Sequence, residues 1–362
     1  MGKGLYIHIP FCTNICSYCD FCKIIYSEKL CRDYLFSLKK EMEEIIKDDI
    51  CSIYIGGGTP SSLSIENLII LMEIIAPYYK EGIPFTIEAN IDSISKEKMI
   101  LLKNRGVNRV SLGVQSFKDD IVKDMNRNHT KEDVFIVIKN LIDVGIVDIN
   151  IDLIYGYPNQ TLLDIKKDID EAMNLPITHI STYALTVNDN TYLKLRNIEE
   201  MSQDVLAEEY SYIVEELKKH GFNRYEVSNF SKKGFESKHN LIYWKNCEYY
   251  GVGAGASSYV EGVRYDNTKS ITRYIKGERK IYEEKLSKDD EEFYFIMLGL
   301  RMSSGISLIE YKNKYLQNFE DKYKDKLEKL IKNDLLVINE NRLKVTEKNI
   351  FILDFILKRL LY

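Results

Sequence analysis

The chain has no apolar run approaching the ~20 residues that span a bilayer, so no transmembrane helix is expected. Nor does Met1-Gly-Lys-Gly-Leu-Tyr6 carry an apolar h-region. It passes straight into a strand-like run, so a cytoplasmic protein is expected. A basic stripe is missing too. Lysine and arginine are dispersed and the formal charge is −5, so nothing suggests a nucleic-acid partner. Low-complexity linkers are absent, and no repeat stands out beyond a strand–helix period. Cysteine is too sparse for a disulfide framework, with seven in 362 residues. Four of them fall between positions 12 and 22, a concentration that points to metal binding in a reducing compartment. Cys31, Cys51 and Cys247 are scattered and read as small apolar residues. The length exceeds one ordinary domain, so one large domain plus an appendage is expected.

Cys12, Cys16 and Cys19 form a CxxxCxxC string on one short loop. A closed structural zinc site takes four protein ligands, usually with paired CxxC units. Three converging thiolates suit instead a four-iron cluster with one iron left open to a small-molecule ligand. Zinc, with Cys22 or His8 as fourth ligand, is the competing reading.

Strands and helices alternate through the first 220 residues. The pattern predicts strands at Leu5–Ile9, Cys51–Ile55, Pro84–Glu88, Arg109–Gly113, Asp148–Ile154 and His179–Leu185. Between and after them it predicts helices at Cys31–Lys47, Ser64–Ala76, Ser95–Arg105, Lys131–Val144, Thr161–Asn174 and Gln203–His220. Gly106, Gly145 and Gly221 mark helix ends, and Thr161 is a candidate N-cap. Six such units imply a parallel sheet curved into a partial (β/α)6 barrel, spanning residues 1–228, with chemistry at the C-terminal strand ends. Residues 229–362 read as a C-terminal α+β accessory region. Within it, short strands flank the barrel up to about residue 285. Helices at Glu291–Arg301, Ser307–Lys314 and Phe319–Asn333 follow. A hairpin, Leu335–Ile338 with Arg342–Val345, and a helix at Glu347–Leu360 give a winged-helix-like end.

Polar or glycine features fall at the end of each strand. Gly56-Gly-Gly-Thr-Pro60, including Gly57, Gly58 and Thr59, lets backbone approach a ligand such as the ammonium end of an amino acid. Glu88 is expected to bind an ammonium or ribose hydroxyls, or else to cap a helix. Arg127 is expected to hold a carboxylate bidentately, or a surface partner. Gln115 adds hydrogen-bonding capacity. Asp152 is an acid in an apolar strand that must be paired or face a polar cavity. His239 is either an iron ligand or a structural histidine.

Together these strings resemble the coproporphyrinogen-oxidase-like branch of the radical S-adenosylmethionine (SAM) superfamily over nearly the whole chain. Those that carry the resemblance are Tyr6-Ile-His-Ile-Pro-Phe-Cys12, Cys19-Asp-Phe21, Gly56-Gly-Gly-Thr-Pro60, Gly113-Val-Gln-Ser-Phe117 and Asp152-Leu-Ile-Tyr-Gly-Tyr-Pro158. Tyr225-Glu-Val-Ser-Asn-Phe230 and the HNxxYW motif His239-Asn-Leu-Ile-Tyr-Trp244 make it most similar to the heme-chaperone subgroup. The resemblance implies a radical SAM fold in which Cys12, Cys16 and Cys19 hold a 4Fe–4S cluster. Tyr6, Gly57, Gly58 and Glu88 would contact SAM, with Thr59, Gln115, Arg127 and Asp152 as further SAM-pocket positions. His239 would be associated with heme. The implied partners are heme and an acceptor protein, with transient membrane contact. The alternative is the branch's oxygen-independent coproporphyrinogen III dehydrogenase, which decarboxylates propionate side chains. That enzyme has a long segment before its cysteine loop, where this chain has eleven residues, and a fourth cysteine where Phe21 stands. Cys22 is expected not to bind the cluster. One departure from the chaperone pattern is Ser257, where a histidine is frequent.

Overall fold

The computed structural model describes residues 2–362. Six strands lie side by side: β1 (Lys3–Ile9), β2 (Ile50–Gly57), β3 (Phe85–Asn90), β4 (Arg109–Gln115), β5 (Asp148–Tyr155) and β6 (His179–Ala184). Every junction between them is parallel. The chain returns through α1 (Glu28–Ile45), α2 (Ile65–Ile75), α3 (Lys96–Asn104), α4 (Lys131–Asp143) and α5 (Leu162–Met173), and α6 (Gln203–Lys219) follows β6. The expected partial barrel is what forms, with element limits displaced by only a few residues. Thr161 makes a full capping box with Asp164, and Gly106, Gly145 and Gly221 take positive φ at helix ends.

Parallel strands covered on both faces carry nearly continuous apolar runs. These strands alternate instead. Leu5, Ile7, Ile53, Ile55, Phe85, Ile87, Val110, Leu112, Ile149, Ile151 and Ile180 are buried in the apolar core. Their neighbours Tyr6, Tyr54, Glu88, Ser111, Asn150, Asp152, His179 and Ser181 face cavities on the other side. The two-residue period of a strand therefore gives the barrel an apolar exterior and a polar, hollow interior.

The sheet continues past both ends of the barrel. β7 (Asn223–Arg224) and β8 (Asn229–Ser231) extend the β6 side antiparallel. β9 (Tyr249–Val252) adds parallel to β1, and β10 (Ser257–Val260), β11 (Val263–Asn267) and β12 (Lys280–Lys285) follow antiparallel. The order is β12-β11-β10-β9-β1-β2-β3-β4-β5-β6-β8-β7, so the sheet stays open. The region expected to flank the barrel is thus part of its sheet, because β1 would otherwise present an unpaired edge.

Between β8 and β9 lies α7 (Lys238–Trp244), and α8 (Lys288–Gly299) follows β12. Further helices and a three-stranded antiparallel sheet of Ile306–Ser307, Arg342–Val345 and Leu336–Asn339 come next. The helix expected over Phe319–Asn333 breaks at Tyr323, whose hydroxyl donates to Glu292 at 2.9 Å while its ring packs on Phe319. The last helix opens with a 3-10 segment, Glu347–Ile352. Among the described residues no helix is long and apolar enough to cross a membrane.

Candidate functional site

A cavity of about 340 Å³ lies at the C-terminal ends of the barrel strands. Cys12, Cys16, Cys19, Gly57, Gly58, Thr59, Glu88, Gln115, Arg127 and Asp152 all line it. Tyr6 and His239 do not. They line a second cavity of about 490 Å³, walled by the barrel strands, α7 and the C-terminal region. Glu88 and Tyr183 belong to both walls.

The cysteine loop is irregular backbone held from several directions. Ser17 N–H donates to Met125 O at 3.1 Å, and Ser17 Oγ donates to Asp124 O at 3.0 Å. Asn126 Nδ2 donates to Ile15 O at 2.9 Å, and Leu193 N–H to Ser17 O at 3.0 Å. Tyr157 completes the brace by donating to Asp124 at 2.8 Å. Two short helices that the sequence pattern did not reveal, Asp119–Asp124 and Tyr192–Leu195, carry Asp124 and Leu193, and Met125 and Asn126 directly follow the first.

All three loop thiols are free, and burial pushes Cys12 up to about 11. Thr59 Oγ1 donates to Cys12 Sγ at 3.5 Å. The glycine run makes the room. A Cβ on Gly56 would lie 2.9 Å from the Glu88 carboxylate, one on Gly57 2.8 Å from the His8 ring, and one on Gly58 3.0 Å from Cys12 Sγ. Gly57 also takes φ +116°, which side chains rarely adopt. Three free thiols on one wall beside a side-chain-free backbone fit the donor set of an iron–sulfur cluster.

Both proposed fourth ligands for zinc are engaged elsewhere. His8 Nε2–H donates to Cys22 O at 2.8 Å, so its neutral ring accepts from the Tyr6 hydroxyl at Nδ1, 3.0 Å away. The Cys22 thiol donates to Lys269 O at 3.2 Å, and Cys22 does not line the cavity. Among the described residues no three His, Cys, Asp or Glu side chains are placed to hold a single metal ion. A cluster asks less, because each thiolate binds a different iron.

The same cavity holds the groups for a polar ligand. Glu88 accepts from Tyr54 O–H at 2.8 Å and Gly57 N–H at 3.1 Å, and burial pushes its carboxyl up to about 7. Arg127 donates to Gly113 O at 2.8 Å, Asn90 Oδ1 at 3.2 Å and the Tyr18 hydroxyl at 3.1 Å. All these acceptors are neutral, which leaves its charge available to an anion. Gln115 sits at a break in the β4–β5 register with φ +71°, so its side chain turns into the cavity. Asp152 accepts from Asn150 Nδ2 at 2.8 Å and Ser111 Oγ at 3.3 Å, and burial raises its carboxyl.

Tyr6 differs from its expected place as a SAM contact. It lies well before the end of β1, below the mouth of the first cavity, with its ring stacked on Tyr54. His239 lies on the second cavity's wall but has no free nitrogen: Nδ1 pairs with Ser52 Oγ at 2.6 Å and Nε2 with the Tyr243 hydroxyl at 2.8 Å. Burial pushes its ring down to about 3, so it is neutral. Ser257 lines neither cavity and donates to Asp266 at 2.5 Å. Tyr54 and Phe351, which also line the second cavity, carry no signal in the sequence. Residues this far apart carry no joint motif, and only strand register brings them together.

Comparison with known proteins accords with this arrangement. Residues 6–172 match the family model described as Radical SAM superfamily, and residues 286–352 match HemN C-terminal domain. A protein of Lactococcus lactis subsp. lactis named heme chaperone HemW is 40% identical over 355 residues, covering 96% of this chain and 94% of that one. A Bacillus subtilis protein of the same name is 37% identical over 364 residues, covering 96% of each. The solved structure of coproporphyrinogen III oxidase (HemN) from Escherichia coli shares the fold, with a TM-score of 0.88 at 21% identity, over 99% of this chain and 90% of that one. This chain belongs to the radical SAM superfamily and, within it, to the HemW family.

Proposed function

We propose that the protein is a heme chaperone: it holds a 4Fe–4S cluster and SAM in the first cavity, holds heme in the second, and delivers heme to an acceptor protein. The observation that carries this reading is the pair of adjoining cavities with different linings. One offers three thiols with Glu88, Arg127 and Asp152, and the other offers flat aromatic walls. The names of the relatives support the heme assignment.

A bound and reduced cluster would be the source of an electron for SAM cleavage. The chain's own part is to bind and orient. Cys12, Cys16 and Cys19 would hold the cluster, and Glu88 with the Gly57–Gly58 backbone would receive the ammonium of SAM. Arg127 would take its carboxylate, while Thr59, Gln115 and Asp152 shape the remaining polar wall. In the second cavity Tyr6, Tyr54, Tyr183, Tyr243 and Trp244 offer planar, apolar surface to a macrocycle, and His239 braces that wall. The place of action is the cytoplasm, with transient contact at membranes where acceptors reside.

An anaerobic assay of reconstituted protein with SAM, reductant and coproporphyrinogen III tests the proposal. SAM cleavage without decarboxylated porphyrinogen is expected. Substrate-dependent formation of both 5′-deoxyadenosine and decarboxylated product would make it a dehydrogenase and overturn the chaperone reading.

A further inference from the structure

Among the described residues Arg301 is the one arginine or lysine on the wall of the second cavity, whose remaining lining is aromatic, aliphatic and neutral polar, with the acids Glu88, Glu226 and Asp354. We propose that Arg301 is the anion anchor of this cavity, pairing with a propionate carboxylate of a planar tetrapyrrole; the inference rests on the heme reading above.

The position of Arg301 is fixed by its neighbours. Met302 forms an antiparallel bridge with Glu226, and Ser303 N–H donates to Tyr225 O at 3.0 Å. Ser303 Oγ donates to Arg224 O at 2.9 Å. The segment following α8, directly after Arg301, is thereby tied to the 224–226 segment, part of which lines the same cavity. The guanidinium uses Nη1 on Met297 O at 2.8 Å and Nη2 on Asp354 Oδ1 at 3.0 Å. A guanidinium has five N–H donors, so these bonds leave capacity for another acceptor. Its acidic partner is also replaceable, since the Asp354 side chain is 87% exposed and such rim pairs contribute little.

The other acids set the ligand's direction. Glu226 is buried and bonded to Asn229 Nδ2 and Ser228 N–H, and Glu88 is bonded to Tyr54 and Gly57. In their charged forms neither offers anything to a carboxylate, and both repel it. A flat ligand with apolar faces and carboxylates along one edge therefore enters with its apolar body against Tyr54 and Tyr243 and its carboxylate edge at Arg301. Arginine suits this role because its planar fork matches a carboxylate with two parallel bonds.

Iron protoporphyrin IX and its dimethyl ester test the assignment on the cluster-loaded protein. Wild type should bind the diacid more tightly than the ester by roughly tenfold or more. Arg301→Ala should lose that factor for the diacid and bind the ester as wild type does, while Arg301→Lys retains part of the preference. The cluster absorption of each variant reports that the fold is intact. Unchanged discrimination between diacid and ester in Arg301→Ala overturns the inference and leaves the heme reading standing. Failure of wild type to bind either porphyrin overturns both.

Discussion

Tyr54 donates a 2.8 Å hydrogen bond to Glu88, and the second oxygen of that carboxylate accepts from Gly57 N–H at 3.1 Å. The bond crosses the wall between the two cavities. Tyr54 faces the aromatic cavity, whereas Gly57 belongs to the thiol-lined one. One carboxylate thus belongs to both walls, so a ligand that reorients it on one side is expected to be felt on the other, and any coupling of the two affinities would be reciprocal.

Glu88 also predicts a pH dependence. Its folded value, pushed up by burial to about 7, exceeds the ordinary carboxyl value of 4.5. The protonated form is therefore favoured inside, and the stability this group contributes at low pH is lost as pH rises through about 7. In denaturant melts of protein without cluster or SAM, wild type should lose more stability between about pH 5 and about pH 8 than Glu88→Gln. Equal losses would contradict the burial of this group as an acid.

Arg127 makes hydrogen bonds only to neutral acceptors: the Tyr18 hydroxyl, the Asn90 amide oxygen and the Gly113 carbonyl. A cation so placed on a cavity wall is matched by an anionic ligand. Arg127→Met should weaken SAM binding to the reconstituted protein by roughly tenfold or more. A loss of thermal stability with unchanged SAM affinity would assign Arg127 to structure alone.

The loop cysteines are separable from their neighbour. Cys16→Ser should remove the brown chromophore of anaerobically reconstituted protein, while Cys22→Ser keeps it, because Cys22 points to Lys269 O and lies off the cavity. Iron and sulfide analysis reads both variants. Full iron content in Cys16→Ser would sink the cluster assignment.

His239 is committed at both nitrogens, to Ser52 and Tyr243. His239→Gln should therefore leave the Soret position of bound heme unchanged and weaken affinity by roughly three- to tenfold, through loss of the bonds that hold Tyr243. A shifted Soret band would make His239 an iron ligand and contradict its role as a brace.

The sequence carried much of this architecture because the barrel strands alternate so regularly. Leu5, Ile7 and Ile9 announce one face of β1 without any structure. Spacing alone also made the cysteine triad legible, since three sulfurs on one loop need no tertiary information to converge. Ligand assignments in the second cavity were harder. Tyr54, Tyr183 and Arg301 are single residues on separate elements, and none differs in local pattern from an ordinary strand tyrosine or helix-end arginine. His239 shows the opposite limit: its motif was visible, but its two hydrogen bonds depend on Ser52, nearly two hundred residues away. The continuation of the sheet through β9 likewise depended on an edge that only tertiary pairing reveals.

Heme and SAM are proposed to occupy different cavities of one chain. A titration of iron protoporphyrin IX into cluster-loaded protein already saturated with SAM, followed by measurement of retained SAM, tests this directly. One heme bound per chain with SAM still in place is the expected result. Release of SAM in step with heme uptake would show a single shared site and contradict it.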